Sequence, residues 1–204
     1  MGLYTIMHRS RVKHGMTVGE RGNDGRRARD DARNQEDKNM AVRALRLEPD
    51  EILRKKSKPI EVVDDKIKEL IEDMLDTMYE ANGVGLAAVQ IGVLKRVLVM
   101  DDMEDGSEPI VLINPEVTHT ERMQRGTEGC LSIPNLRGIV RRPYITHVKA
   151  LNENGEAVEL VLEGFLSVVF HHELDHLDGI LYTDKAIKTY HPDEDEDEDH
   201  QEEK

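Results

Sequence analysis

Residues 172–176 read His-Glu-Leu-Asp-His at the end of an apolar stretch that begins at Phe165, and no other segment restricts the fold as strongly. Phe165, Val168, Val169, His172 and His176 recur at intervals of three and four, the period of a buried helix face. Gly179 is a natural stop for that helix. Residues four apart on a helix share a face, so His172 and His176 can direct two imidazoles at one metal ion. Glu173 lies beside the first imidazole, where a carboxylate can take a proton from water on the ion. Without an ion, two imidazoles and a carboxylate on an inward face would need hydrogen-bonding partners to offset burial. The pattern points to metal-assisted hydrolysis and leaves the scissile bond open.

A catalytic site needs at least one more protein ligand, with one coordination position left free. The extended pattern HExxHxxGxxH is followed through Gly179 and then fails, because Tyr182 stands where a third histidine belongs. A phenol with a pKa near ~10 is a poor substitute for neutral imidazole. Downstream, Asp184 is the acid that precedes the terminal acidic run; it is close along the chain and stays open as a ligand. Upstream stands Cys130, in Glu128-Gly129-Cys130-Leu131-Ser132. A lone buried cysteine is usually a small hydrophobe, but a thiolate is also a strong ligand for a divalent transition metal. Gly129, with no side chain, allows close backbone approach beside it. A Cys-His-His set suits Fe(II) or Zn(II).

The rest of the chain makes an α+β domain. Ile67, Leu70, Ile71, Met74, Leu75 and Met78 recur at helical spacing over 64–81, with Asn82-Gly83 as the stop. Residues 83–92 read as a glycine-containing loop. Residues 96–100 and 109–117 read as strands around the turn signal Asp105-Gly106, and 144–151 and 157–162 as strands around Asn154-Gly155. Residues 126–140 read as an extended strand and loop. These elements predict antiparallel β-sheets packed around a central metal-bearing helix, with an N-terminal helix. At 38% hydrophobic, 204 residues suffice for one domain with a buried core. The domain is expected over 40–190. Residues 1–39 lack a hydrophobic period and are expected to be a disordered extension, and their acidic residues argue against a transit peptide. Residues 191–204 are expected to be a disordered acidic tail, since a run such as 193–199 repels itself. The net charge of -14 argues against a general nucleic-acid binder. A single cysteine excludes an intrachain disulfide and fits a reducing compartment, the cytoplasm. No apolar stretch is long enough to span a bilayer.

Three segments in order, Gly83-Val84-Gly85-Leu86-Ala87-Ala88-Val89-Gln90, Glu128-Gly129-Cys130-Leu131-Ser132 and His172-Glu173-Leu174-Asp175-His176, resemble the signature motifs of peptide deformylase. The resemblance runs from about Met40 to about Lys188. It implies an enzyme that removes the N-formyl group from the N-terminal methionine of nascent polypeptides, releasing formate. It implies Cys130, His172 and His176 as metal ligands and Glu173 as general acid/base. It also implies Gln90 and the backbone N–H of Leu131 as donors to the oxyanion. Fe(II) is the implied metal in the cell, with Zn(II) or Ni(II) in purified material. The substrate-binding positions implied are Val84, Gly85, Gly129, Arg137, Phe165, Val168 and Val169. Gly85 would let the substrate pair as an added strand. Helical core packing explains Phe165, Val168 and Val169 equally well.

The chain departs from the family at His171, where glutamine is usual; it should lie off the ligand face and is a candidate outer hydrogen-bonding group. The partners implied are formyl-methionyl nascent chains, with the ribosome nearby, no membrane and no specific nucleic acid. Docking on ribosomal RNA through the acidic C-terminal end is disfavoured by charge. The competing enzyme is an HExxH zinc endopeptidase with its third ligand downstream of His176.

Overall fold

The computed structural model describes residues 41–104 and 106–192. The expected N-terminal extension, Met40 as the start of the domain, and the acidic run from 193 onward lie outside the described residues. So does Asp105 of the first turn signal.

Helix α1 (Asp65–Glu80) starts at Asp64, whose carboxylate accepts from the Ile67 N–H at 3.0 Å and satisfies one of the free donors of the first turn. It ends where Asn82 takes a left-handed φ of 53° and Gly83 N–H bonds back to Met78 O at 2.8 Å. Its apolar stripe, Ile67, Leu70, Ile71, Met74 and Met78, is buried against Leu86, Val97, Val99 and Ile113. Helix α2 (Phe165–Leu177) packs against a second group that includes Ala87, Leu98, Met100, Leu112, Val148 and Leu162. Alternate residues of one strand therefore face different helices: Val97 and Val99 meet α1, Leu98 and Met100 meet α2. That explains why 97–100 is an unbroken apolar run.

The strands are β1 (Gly85–Ala87), β2 (Val97–Met100), β3 (Ile110–Cys130), β4 (Ile133–Leu151), β5 (Ala157–Glu163) and β6 (Lys188–Tyr190). They form one six-stranded sheet in the order β1-β2-β3-β4-β5, with β6 also on β4, and every pairing is antiparallel. Two expectations need correction. Residues 83–92 are not simply loop: Gly85–Ala87 pairs with β2 along its length, and Ala88–Ile91 is a 3-10 turn closed by Gly92 at φ 85°. Three residues are too few to show alternation. Residues 109–117, 126–140 and 144–151 are parts of two long strands, β3 and β4, joined by the tight turn at Leu131-Ser132. The middle of β3, residues 118–123, is exposed on both faces, so no buried face imprints a hydrophobic period there. Three register shifts bend this hairpin, the last between Glu128 and Cys130. No helix among the described residues is long and apolar enough to cross a membrane.

Candidate metal centre

The bend at the tip of the β3–β4 hairpin brings Cys130 over α2. The ligand atoms of Cys130, His172 and His176 lie within 4.8 Å of one another, and all three residues are buried. Cys130 Sγ is 3.2 Å from His176 Nε2. Two histidines one turn apart place their ring centroids 5.0 Å apart with planes at 69°. Glu173 is 4% exposed, and its Oε2 has no hydrogen-bond partner among the described residues. Burial pushes its carboxyl up to about 7. A buried, unpartnered carboxylate oxygen beside a soft-donor Cys-His-His cluster is a polar deficit that an ion with its own water would relieve, so the residues present fit a transition-metal ion.

His172 is held from behind. Its Nδ1 donates to Glu128 Oε2 at 2.8 Å, which leaves Nε2 free to coordinate. Glu128 is gripped by Arg142, from Nε to Oε1 at 2.7 Å and from Nη2 to Oε2 at 2.9 Å. Arg142 Nη1 also donates to Asp175 Oδ2 at 2.6 Å, and Lys185 Nζ closes the chain on Asp175 Oδ1 at 2.6 Å. Burial alone would raise the Glu128 carboxyl, but hydrogen bonds from Arg142 and His172 hold it at about 2. On the other side Tyr182 stacks on the His172 ring, centroids 5.7 Å apart, and its hydroxyl donates to Leu136 O at 3.0 Å. Gly138 permits this, because a Cβ there would sit 2.8 Å from Tyr182 Cε2.

Gln90 lies next to the sulfur. Its Oε1 accepts from Ala87 N–H at 2.8 Å, and its Nε2 points at Cys130 Sγ (3.7 Å) and Ser132 Oγ (3.2 Å). Leu131 occupies the hairpin turn between Cys130 and Ser132, with its Cδ1 against Gly83. Gly85 lies on the edge strand β1, and a Cβ there would fall 2.6 Å from Glu173 Oε1 and 2.8 Å from Val169 Cγ1. The glycine is thus required by the close approach of the Glu173 side chain. Gly129 serves Arg137 in the same way: its missing Cβ leaves room for the guanidinium of that exposed residue beside Cys130.

Val84 and Val169 share one apolar cluster, with Val169 buried and Val84 partly so. Phe165 is 53% exposed and Val168 half-buried, so neither belongs to the buried helix face that their spacing suggests. Leu166 and Phe170 fill the core in their place. His171 bonds Thr146 Oγ1 at 3.0 Å, and the hydrogen bond from His172 goes to Glu128, not His171. Asp184 pairs with Arg54 and accepts from Leu181 N–H, which engages the downstream acid elsewhere. Glu128, Arg142, Asp175, Lys185, Ser132 and Tyr182 were not singled out as supporting residues by sequence reasoning. Glu128 and Ser132 flank Cys130 within the second motif, and Asp175 lies within the third, so proximity was the available signal. Arg142 and Lys185 offer none.

Residues 42–191 match the family model described as polypeptide deformylase. A peptide deformylase from Lachnoclostridium phytofermentans is 54% identical over 152 residues, covering 74% of this chain and 93% of that protein. The crystal structure of peptide deformylase from Thermotoga maritima superposes with a TM-score of 0.68 at 40% identity, covering 72% of this chain and 99% of the other. A Met-Ala-Ser-bound class I type b peptide deformylase from Acinetobacter baumannii gives a TM-score of 0.68 at 34% identity, over 72% and 99% of the two chains. These likenesses support the deformylase reading and not the endopeptidase alternative.

Proposed function

We propose a reaction and a role for each residue from one premise: the chain belongs to the peptide deformylase family. It is a metal-dependent hydrolase that removes the N-formyl group from the methionine at the start of nascent polypeptides, giving formate and a free amine. In our reading Cys130, His172 and His176 hold the ion, Fe(II) in the cell and Zn(II) or Ni(II) as isolated. When bound, the ion supplies Lewis acidity and lowers the pKa of water at the site. Glu173 takes the proton of the attacking water on Oε2 and delivers it to the departing amine. A carboxyl whose burial makes protonation easy suits both halves of that transfer.

Gln90 Nε2 and the Leu131 N–H act as donors to the oxygen of the formyl group as negative charge develops on it. Gln90 reaches that position with its rotamer already fixed by the Ala87 N–H, so little reorganisation accompanies reaction. The outer edge of β1 accepts the substrate backbone as a further strand at Gly85, since β2 uses only its inner edge. The methionine side chain lies toward Val84, Phe165, Val168 and Val169, and the exposed flank of Phe165 suits a pocket wall better than core. Arg137, folded over Gly129, contacts the peptide beyond the first residue. The catalytic domain is placed at 40–190, between an N-terminal extension and an acidic tail, and the protein in the cytoplasm near the ribosome. The acidic end is not the docking element, because ribosomal RNA would repel it.

The observation that carries this reading is the meeting of Cys130 with His172 and His176 beside buried Glu173. Full-length protein loaded with Fe(II) or Ni(II) under reducing conditions is given formyl-Met-Ala-Ser and formate release is measured. Turnover is expected, with loss of bound metal and activity in Cys130→Ala. A metal-loaded sample that releases no formate, or a Cys130→Ala variant that keeps its ion and rate, would refute the assignment.

A further inference from the structure

A second group of metal-ligating side chains sits on the outer face of the β3–β4 hairpin, eleven positions along β3 from Cys130. His119 and His147 are direct cross-strand partners, and Glu121 lies two residues along β3 on the same face. Glu121 Oε1 is 3.5 Å from His119 Nε2 and 3.8 Å from His147 Nε2. Among the described residues those are its only polar partners, and neither imidazole makes a hydrogen bond to any of them. From the geometry we infer that His119, Glu121 and His147 form a second binding site for a divalent transition-metal ion, Zn(II) in the first instance.

The two rings are spaced much like the pair in the candidate metal centre, although the three donor atoms are less closely gathered than those of Cys130, His172 and His176. The ring centroids are 5.4 Å apart with planes at 61°, against 5.0 Å and 69° for His172 and His176. Tetrahedral Zn(II) at about 2.0–2.1 Å from each nitrogen sets two ligating rings about 5 Å apart, centre to centre, and neighbouring donor atoms about 3.4 Å apart. The observed carboxylate contacts are slightly wider than that edge. The His119 and His147 side chains are 62% and 38% exposed and free to turn inward onto an ion. Two imidazoles and one carboxylate leave a position for water, and this donor set favours Zn(II), Ni(II) or Cu(II) over Mg(II) or Ca(II).

The site joins β3 to β4 where the pairing register shifts between Val117 and His119. An ion there clips the two strands of the hairpin whose tip carries Cys130. Binding should therefore stabilise the fold without entering the chemistry, because none of the three residues touches the candidate metal centre.

Full-length protein with its first site saturated by Zn(II) is titrated with further Zn(II) by calorimetry, and melting is followed in parallel. One additional ion per chain and a rise in Tm are expected. His119→Gln or His147→Gln should each remove that ion and the Tm rise. Glu121→Gln should weaken it at least tenfold, and formate release should stay at the parent rate in all three. Absence of a second ion at micromolar free Zn(II) would overturn the inference. So would a second ion that survives either histidine substitution, because other residues would then hold it.

Discussion

Arg142→Met tests whether the ionic chain behind His172 is structural support for the metal centre. The methionine is similar in volume and apolar, so what it removes is charge and three hydrogen bonds. Arg142 is 3% exposed, Glu128 6% and Asp175 7%, so the carboxylates left behind cannot recover full hydration. Their losses are unequal. Asp175 keeps Lys185 at 2.6 Å, whereas among the described residues Glu128 keeps only the His172 N–H. The dominant cost is thus one uncompensated buried charge, about 3–5 kcal/mol. For a domain of this size that corresponds to a fall in Tm of roughly 6–20 °C. Urea unfolding of the Zn(II)-loaded protein at pH 7, with an unchanged m-value, measures it. The double variant Glu128→Gln/Arg142→Met supplies the control. Its side-chain amide still accepts from His172 but carries no charge, so about half or more of the loss should return. A loss below about 1 kcal/mol, or a double variant no more stable than Arg142→Met, would refute the claim that buried charge compensation holds this site together.

Gly85→Ala should reduce formate release sharply and cost about 1–3 kcal/mol, since the new Cβ meets Glu173 Oε1 and Val169 Cγ1; parent-like turnover would contradict it. Glu173→Gln should retain the parent's metal content by elemental analysis while turnover falls roughly 10²-fold or more. Tyr182→Phe should keep the stack on His172 and lose only the hydrogen bond to Leu136 O, about 0.5–1.5 kcal/mol by urea unfolding. Asp101 gives a pH signature through a carboxylate that bonds none of Cys130, His172 and His176. Burial would raise its carboxyl, but Tyr79 O–H, Met103 N–H and Ser107 O–H hold it below its ordinary 3.8. A lowered folded-state pKa stabilises above the unfolded value and ceases to do so as pH falls through the folded one. Asp101→Asn should therefore be less stable than the parent at pH 6, with the gap narrowing below about pH 4 as the parent's carboxylate takes up its proton.

What could be read from the sequence divides along a physical line. Asp64 capping α1, the stripe Ile67-Leu70-Ile71-Met74-Met78 and the turn at Asn154-Gly155 each depend on residues a few positions apart, so their pattern is present in the chain itself. The i, i+4 spacing of His172 and His176 is equally local. Cys130 has no such spacing to them, and the residues alone left Asp184 open beside it; the motif resemblance singled it out. The supports of the site were invisible for the same reason in stronger form. Arg142 reads as one of two arginines in a polar run, yet it is 3% exposed, with its guanidinium enclosed between the carboxylates of Glu128 and Asp175. Burial of a charge depends on where its partners arrive, and the partners of Arg142 come from β3 at Glu128 and from α2 at Asp175, fourteen and thirty-three residues away. Phe165 fails in the opposite direction. Its spacing belongs to the buried stripe, but it opens the first turn of α2, where the sheet no longer covers it. Periodicity reports which face a helix turns inward, and the length of that face actually covered is set by the neighbouring strands. An exposed aromatic on the ligand helix is therefore a place to look for substrate contact, and Phe165→Ala should raise KM for formyl-methionyl peptides more than it lowers Tm.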